Sequence, residues 1–196
     1  MLLNSIKTSS GETEFLSRTI EDWESVTVES EEKFIHNVRE SRNTLFIACY
    51  VDGVIAGNCD ITFKTGSKTS HRATVGIALQ KKYWNIGIGS AMFNEMIKAA
   101  EDHNGTEIVD LEFIEGNNRA KALYEKFGFK IISVEQVEGS VMLNDFNVDN
   151  NTKYALFFGN EVKGVNQQVI DSSDFVVEIP QLGTKHSLNV SVSGGI

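Results

Sequence analysis

ATVGIALQKKYWNIGIGSAMFNEMIKAA, residues Ala73 to Ala100, reads as a strand, a tight glycine turn and a helix. Val75, Ile77 and Leu79 alternate with smaller residues, the period-2 pattern of a strand with one buried face. Gly87 and Gly89 follow, and then Met92, Phe93, Met96, Ile97 and Ala100 recur at helical spacing. A helix that begins at a glycine turn has its first backbone N–H groups without intrahelical partners, all pointing the same way. Together with the positive end of the helix dipole, those groups suit a phosphate-bearing ligand. Glycine at both positions removes the side chains that would hold phosphates away. A tight connection with no ligand would use the same two glycines, so the turn alone leaves both readings open.

The register narrows the choice. With Leu79 at the strand end and Asn85-Ile86-Gly87-Ile88-Gly89 closing the turn, the stretch resembles the acetyl-CoA pyrophosphate loop of GNAT-type N-acetyltransferases. The resemblance implies that Leu79, Trp84, Asn85, Ile86, Gly87, Ile88, Gly89 and Ser90 contact acetyl-CoA. Backbone N–H near Leu79 would face the thioester carbonyl. At the place of Trp84 the family usually carries Gln or Arg. Lys81 and Lys82 are either a solvated turn or a cationic rim for the distal phosphates.

The bulk properties agree with one ordinary domain, or one and a fragment. The chain has 196 residues, is 41% hydrophobic and has no apolar run long enough to span a bilayer. No basic apolar leader is seen, so a cytoplasmic protein without a membrane partner is expected. Cys49 and Cys59 lack a C-x-x-C spacing and read as reduced core thiols. The four histidines are scattered, so no metal is expected. A net charge of −9 argues against a general nucleic-acid binder, because neutralising phosphates requires Lys and Arg.

Before the glycine turn, residues 1–18 read as a helix that ends near Ser9-Ser10-Gly11. A GNAT chain has a strand before this helix, so the sheet is expected to lack its first strand. Ser30 to Arg42 starts with a cap residue and early acids and carries Phe34, Ile35 and Val38 on one face. Thr44–Tyr50 and Val54–Phe63 read as strands joined at Asp52-Gly53, a strong hairpin signal. The acids Glu21, Asp22, Glu24, Glu29, Glu31 and Glu32 form either a solvated face or a lure for a cationic amine.

After the long helix, Ile108–Ile114 reads as a strand, followed by GNNRAKALYEKFGF. Asn117 can cap a helix with Ala120, Leu123, Tyr124 and Phe127 on one side, and Gly128 stops it. This stretch resembles the second GNAT signature, N-x-x-A-x-x-L-Y-x-x-x-G-F, in the family's order and separation. Transfer of an acetyl group to an amine needs a deprotonated nucleophile, a stabilised oxyanion and a proton for the departing thiolate. By the resemblance Tyr124 supplies that proton, and Glu112, with Glu115 as a rival, acts as general base. Asn117 would hold the pantetheine arm or only cap its helix. A core-edge tyrosine and a surface glutamate are the plain alternatives.

Beyond Phe129 the pattern changes. KIIS would begin the first of two strands completing a GNAT sheet, but from Val134 onward the text reads differently. YALFFGNEVKGV (Tyr154–Val165) and IPQLGTKHSLNVSVSGGI (Ile179–Ile196) resemble the second and third signatures of SpoU-type RNA ribose 2′-O-methyltransferases. Those SPOUT enzymes hold S-adenosylmethionine in a C-terminal trefoil knot. The resemblance implies that Gly159, Ile179, Leu188 and Asn189 contact the methyl donor. It further implies that Ser187 shapes the knot turn and that Glu161 holds it. Tyr154–Phe158 is continuously apolar, as in a parallel sheet buried on both faces. Gln167–Ser172 reads as a short helix and Phe175–Ile179 as a strand. The family's first motif, with its arginine, has no counterpart upstream. From Asp149 only Lys153, Lys163 and Lys185 stand against five acids, a poor surface for RNA.

The sequence therefore predicts an α/β protein: a GNAT-like mixed central sheet flanked by helices over residues 1–133, and a fragment of a SPOUT trefoil-knot fold over residues 134–196. The expected function is acetyl-CoA-dependent acetylation of a small-molecule or peptide amine. A SpoU-type methyltransferase, with S-adenosylmethionine and RNA as its ligands, and an inactive fusion product are the alternatives. Association into a homo-oligomer is compatible with the pattern. Val141 and Leu143 within Ser140–Phe146 alternate suitably to pair with the strand at Ile108–Ile114.

Overall fold

The computed structural model describes residues 2–16, 18–111, 117–159, 164–181 and 193. The chain forms two compact units, Met1–Gly116 and Asn117–Ile196. The first holds helices α1 (Leu2–Gly11), α2 (Val28–Glu40) and α3 (Ile88–Asp102) and strands β1 (Thr44–Val51), β2 (Val54–Phe63), β3 (Arg72–Leu79) and β4 (Ile108–Leu111). Its sheet runs β1-β2-β3-β4. The first three strands are antiparallel, and β4 lies parallel to β3 from Arg72↔Ile108 to Val75↔Leu111. The mixed sheet expected from the sequence is therefore present, and among the described residues no strand precedes β1.

Local chemistry explains these elements. The hairpin turn between β1 and β2 has positive φ at both Asp52 (49°) and Gly53 (78°), the conformation a two-residue type I′ turn requires. The cap of α2 is Thr27, whose hydroxyl accepts from Ser30 N–H, so the helix starts two residues before the expected Ser30. A Thr at this place satisfies one of the orphan donors of the first turn, which Ser30, already helical, cannot do.

Strand alternation divides β2 into two faces. Cys59 and Ile61 are fully buried with Met96 of α3, and the Cys59 thiol points at Met92 O. Burial of each large apolar side chain here contributes about 1.5–3 kcal/mol. Asp60 and Thr62 point to the opposite face, where α2 lies. Arg72 ties β3 to β4 with a fork on Asp110: Nε donates to Oδ2 at 3.0 Å and Nη2 donates to Oδ1.

The second unit holds α4 (Asn118–Lys126), β5 (Phe129–Val134), β6 (Val141–Met142), β7 (Lys153–Phe158), α5 (Gln167–Asp171) and β8 (Phe175–Glu178). Its sheet order is β6-β8-β5-β7, and every pairing is parallel. The apolar strand at 154–158, the short helix and the strand at 175–178 fall where the sequence placed them.

Two expectations change. KIIS does not continue the first sheet. It forms β5, the strand flanked by β7 and β8, with Ile131, Ile132 and Ser133 buried. Val141 and Met142 pair with Val177 and Glu178, not with the strand at Ile108. The reason is polar and local. Asp174, just before β8, accepts from Ile131 N–H at 2.8 Å and from Lys130 Nζ at 2.8 Å, and its own N–H donates to Ile131 O. Ser133 and Ser173 share a hydrogen bond at 2.7 Å. Ser140 and Gln136 both donate to Glu178, which draws the 136–142 segment along β8. The compact units divide at Gly116/Asn117, with β5 in the second of them. Among the described residues no helix is long and apolar enough to cross a membrane.

Candidate functional site

The C-terminal end of β3 leads through a 3-10 turn at Lys81–Tyr83 into the glycine turn. Gly87 is the N-cap of α3 with φ 92°, a conformation that glycine adopts without the Cβ penalty. Asn85 is also left-handed, at φ 61°. The first bond of the helix runs from Ala91 N–H to Gly87 O, so the amides of Ile88 and Gly89 come before it. No side chain caps this end.

The space over the turn is open. A Cβ added at Gly87 would meet no atom within 4 Å, and one at Gly89 would meet only Leu79 Cδ2 at 3.9 Å. The surrounding atoms therefore do not require glycine at 89, and only the backbone requires it at 87. A ligand approaching the main chain closely would require it at both. The residues thus fit the diphosphate of an acyl-CoA as a cradle that a Cβ would fill.

Trp84, expected at the cofactor, has its indole N–H donated to Leu79 O at 2.7 Å, which anchors the ring on the strand end. Ile86 is exposed at the crest of the turn, and Ser90 lies in the first turn of the helix. Lys81 and Lys82 are exposed. Lys81 N–H donates to Glu12 Oε2 at 2.7 Å, and Lys82 Nζ sits over the Tyr83 ring.

Sequence reasoning missed Gln80. Its side chain is buried at 6% exposure, and Nε2 donates to Ser5 Oγ at 2.9 Å and to Ile55 O at 3.0 Å. Ser5 Oγ also donates to Ile55 O, and Gln80 N–H donates to Ala56 O. This knot fixes the strand-to-turn junction against α1 and β2. A single buried amide has no periodic signature, and its neighbours Lys81 and Lys82 read as solvent.

Tyr124 lies in the second unit. It is 7% exposed, with its ring edge-on to Phe129 at 6.4 Å and to Phe157 at 6.1 Å between centroids. Burial pushes its hydroxyl well above the usual tyrosine range, so it is a protonated donor at neutral pH. Asn117 caps α4, its side chain accepting from Ala120 N–H at 3.4 Å. Glu112 and Glu115 lie outside the described residues.

Gly159 follows β7. A Cβ on it would stand 2.0 Å from Gly164 C and 2.2 Å from Val165 N, so the two turns of main chain touch there. Gly164 has φ 69°, and Glu135 accepts from Val165 N–H at 2.8 Å. Ile179 follows β8 and is half-buried. Glu161, Ser187, Leu188 and Asn189 lie outside the described residues.

A mixed sheet whose third strand runs through a bare glycine turn into a helix defines the GNAT class of fold. The comparisons with known proteins agree, and they add a second affiliation. The model of the acetyltransferase (GNAT) family matches residues 10–129, and that of the SpoU rRNA methylase family matches residues 78–196. Each match spans more than half of the chain, which therefore belongs to the GNAT acetyltransferase family and, in its C-terminal part, to the SpoU rRNA methylase family. Among solved structures, a GNAT-family acetyltransferase of Streptococcus pneumoniae aligns with a TM-score of 0.61 and 28% identity, covering 71% of this chain and 83% of that one. An L-amino acid N-acetyltransferase of Escherichia coli is 31% identical over 85 residues, 43% of this chain and 52% of that protein. An uncharacterised tRNA/rRNA methyltransferase of Borreliella burgdorferi is 41% identical over 81 residues, 40% of this chain and 33% of that protein. The chain thus spans about half of the first relative's length and a third of the second's.

Proposed function

We propose that the chain is an acetyl-CoA-dependent N-acetyltransferase that modifies a primary amine by direct attack. The observation that carries this is the turn at Gly87 and Gly89. It offers backbone donors and a helix dipole with no side chain above them, which suits a diphosphate. A structure sharing the fold, at a TM-score of 0.54, is described with its cofactor acetyl-CoA. Bound acetyl-CoA would supply an activated thioester and a thiol leaving group.

The chain's residues then have separate tasks. The amides of Ile88 and Gly89 hold phosphate oxygens, and the Trp84–Leu79 bond fixes the strand end beside them. Glu112 takes the proton from the amine. Tyr124 keeps its own proton at neutral pH and delivers it to the departing sulfur. The acceptor is a small-molecule or peptide amine.

Calorimetric titration with acetyl-CoA tests the reading. The wild type is expected to bind, and Tyr124→Phe is expected to bind equally well. With a panel of amino acids and peptides as acceptors, thiol release by Tyr124→Phe should fall about 10²-fold or more, the usual contribution of a general acid. Absence of binding at millimolar acetyl-CoA would overturn the proposal.

A second reading has its own observation. The touching main chain at Gly159 and Gly164, just beyond a strand of the parallel sheet, supports S-adenosylmethionine binding by the C-terminal part. Leu188 and Asn189 would complete that site. Titration with S-adenosylmethionine, in the wild type and in Asn189→Ala, decides it. RNA is a partner only if that binding is found.

A further inference from the structure

On the face of the first sheet opposite α3, the helix α2 does not close down on the strands. Phe34 remains 44% exposed, and no residue of α2 is fully buried. Between helix and sheet is a pocket of about 380 Å³, lined by Phe34, Val38, Thr44, Phe46, Asp60 and Thr62 among others. Its volume falls in the range of small-molecule sites.

The pocket's chemistry is specific. Asp60 pairs in register with Phe46 on one side and Gly76 on the other. A Cβ at Gly76 would come within 3.1 Å of Asp60 Oδ1, so the glycine makes room for the carboxylate. Among the described residues, no hydrogen-bond donor and no Lys, Arg or His engages Asp60. Burial raises its pKa, with no nearby cation to offset the effect. Phe34 and Phe46 meet edge to face at 5.5 Å. Thr44 and Thr62 share one hydrogen bond at 3.2 Å, and a hydroxyl pair retains further acceptor capacity.

An unpaired carboxylate beside two aromatic rings and two hydroxyls is a complement to an ammonium group with an apolar arm. Charge pairing, cation–π attraction and hydrogen bonding converge there. From these residues we infer that the pocket under α2 binds a small organic monocation of the primary-amine class, with its ammonium on Asp60. The site is separate from the glycine turn. The turn leads into α3, which packs on the other face, and the Asp60–Gly76 pair is three residues short of the strand end, about 10 Å along it.

The probe is 2-phenylethylamine, with the neutral 2-phenylethanol as its control, each titrated calorimetrically into the whole chain without acetyl-CoA. The amine is expected to bind and the alcohol to bind at least tenfold more weakly. Asp60→Asn, close in shape and uncharged, should lower amine affinity roughly tenfold or more, the usual loss for a charged hydrogen bond, and leave the alcohol unchanged. Gly76→Ala, which crowds the carboxylate, should weaken the amine as well. Both variants should still bind acetyl-CoA like the wild type, which separates this site from the proposed cofactor turn. Equal binding of amine and alcohol, or full amine affinity in Asp60→Asn, overturns the inference. So does failure of the wild type to bind the amine at millimolar concentration.

Discussion

Replacement of Gly89 by alanine separates two readings of the same turn. Gly89 is the second residue of α3, in helical conformation, and the added methyl would meet only Leu79 Cδ2 at 3.9 Å, an ordinary contact. Nothing in the fold opposes it. Alanine in place of glycine within a helix gains roughly 0.5–1 kcal/mol, chiefly through the entropy of the unfolded chain. At about 2–4 °C per kcal/mol for a chain of this size, the melting temperature should rise by about 1–4 °C. The same methyl would stand above the first amides of the helix, where the diphosphate is proposed to lie. In the wild type, coenzyme A at 100 times its dissociation constant should add about 2.7 kcal/mol, or roughly 5–10 °C. Gly89→Ala should lose most of that shift while starting from a higher baseline. Differential scanning fluorimetry, with and without coenzyme A, reads both effects in one plate. If Gly89→Ala keeps the full ligand shift, close approach to the main chain is not why the position is glycine. If it melts lower than the wild type without ligand, the packing argument is wrong.

Three further outcomes follow from the geometry. Gly159→Ala drives a Cβ into the Gly164 carbonyl carbon and the Val165 nitrogen, so it should destabilise the second unit by about 3 kcal/mol, the upper end of overpacking, seen as an earlier urea transition. Gln80→Ala removes two buried hydrogen bonds and should cost about 1–3 kcal/mol, read as a lower melting temperature; an unchanged melt would show that the knot with Ser5 is idle. Asp174 has its pKa depressed, first by Lys130 and then by the Ile131 N–H, so its carboxylate stabilises the fold above the unfolded value of about 3.9 and loses that contribution as pH falls through the lower folded value. Asp174→Asn should therefore be less stable than the wild type at pH 7, and the gap should narrow in acid melts below about pH 4.

The parts of this fold legible in the sequence are those encoded by local patterns. The Asp52-Gly53 turn, the glycine N-cap of α3, the asparagine cap of α4 and the left-handed Gly128 each need a particular residue at a particular backbone angle. The strand at 154–158 was legible from its unbroken apolar run, but the double-sided burial that such a run suggests is not found: β7 lies at the sheet edge and leaves Leu156 56% exposed. The route of β5 was not legible. KIIS is compatible with either sheet, and the choice rests on Asp174, forty-three residues later, meeting Ile131 N–H. Of the candidate site, the turn itself could be read from its glycines. Gln80 and Asp60 could not, since one buried polar side chain on a strand looks like any solvated one until its neighbours are known.

The route of β5 bears on how the two ancestries can be taken apart. Helix α4 carries the acetyltransferase signature and ends at the strand that anchors the parallel sheet of the other lineage. A cut after residue 133 would strip that sheet of its middle rung. A cut after residue 116 would leave the acetyltransferase half without Tyr124. The passage from α4 through β5 thus lies where the two family matches meet, carrying the signature helix of one and an inner strand of the parallel sheet that houses the other.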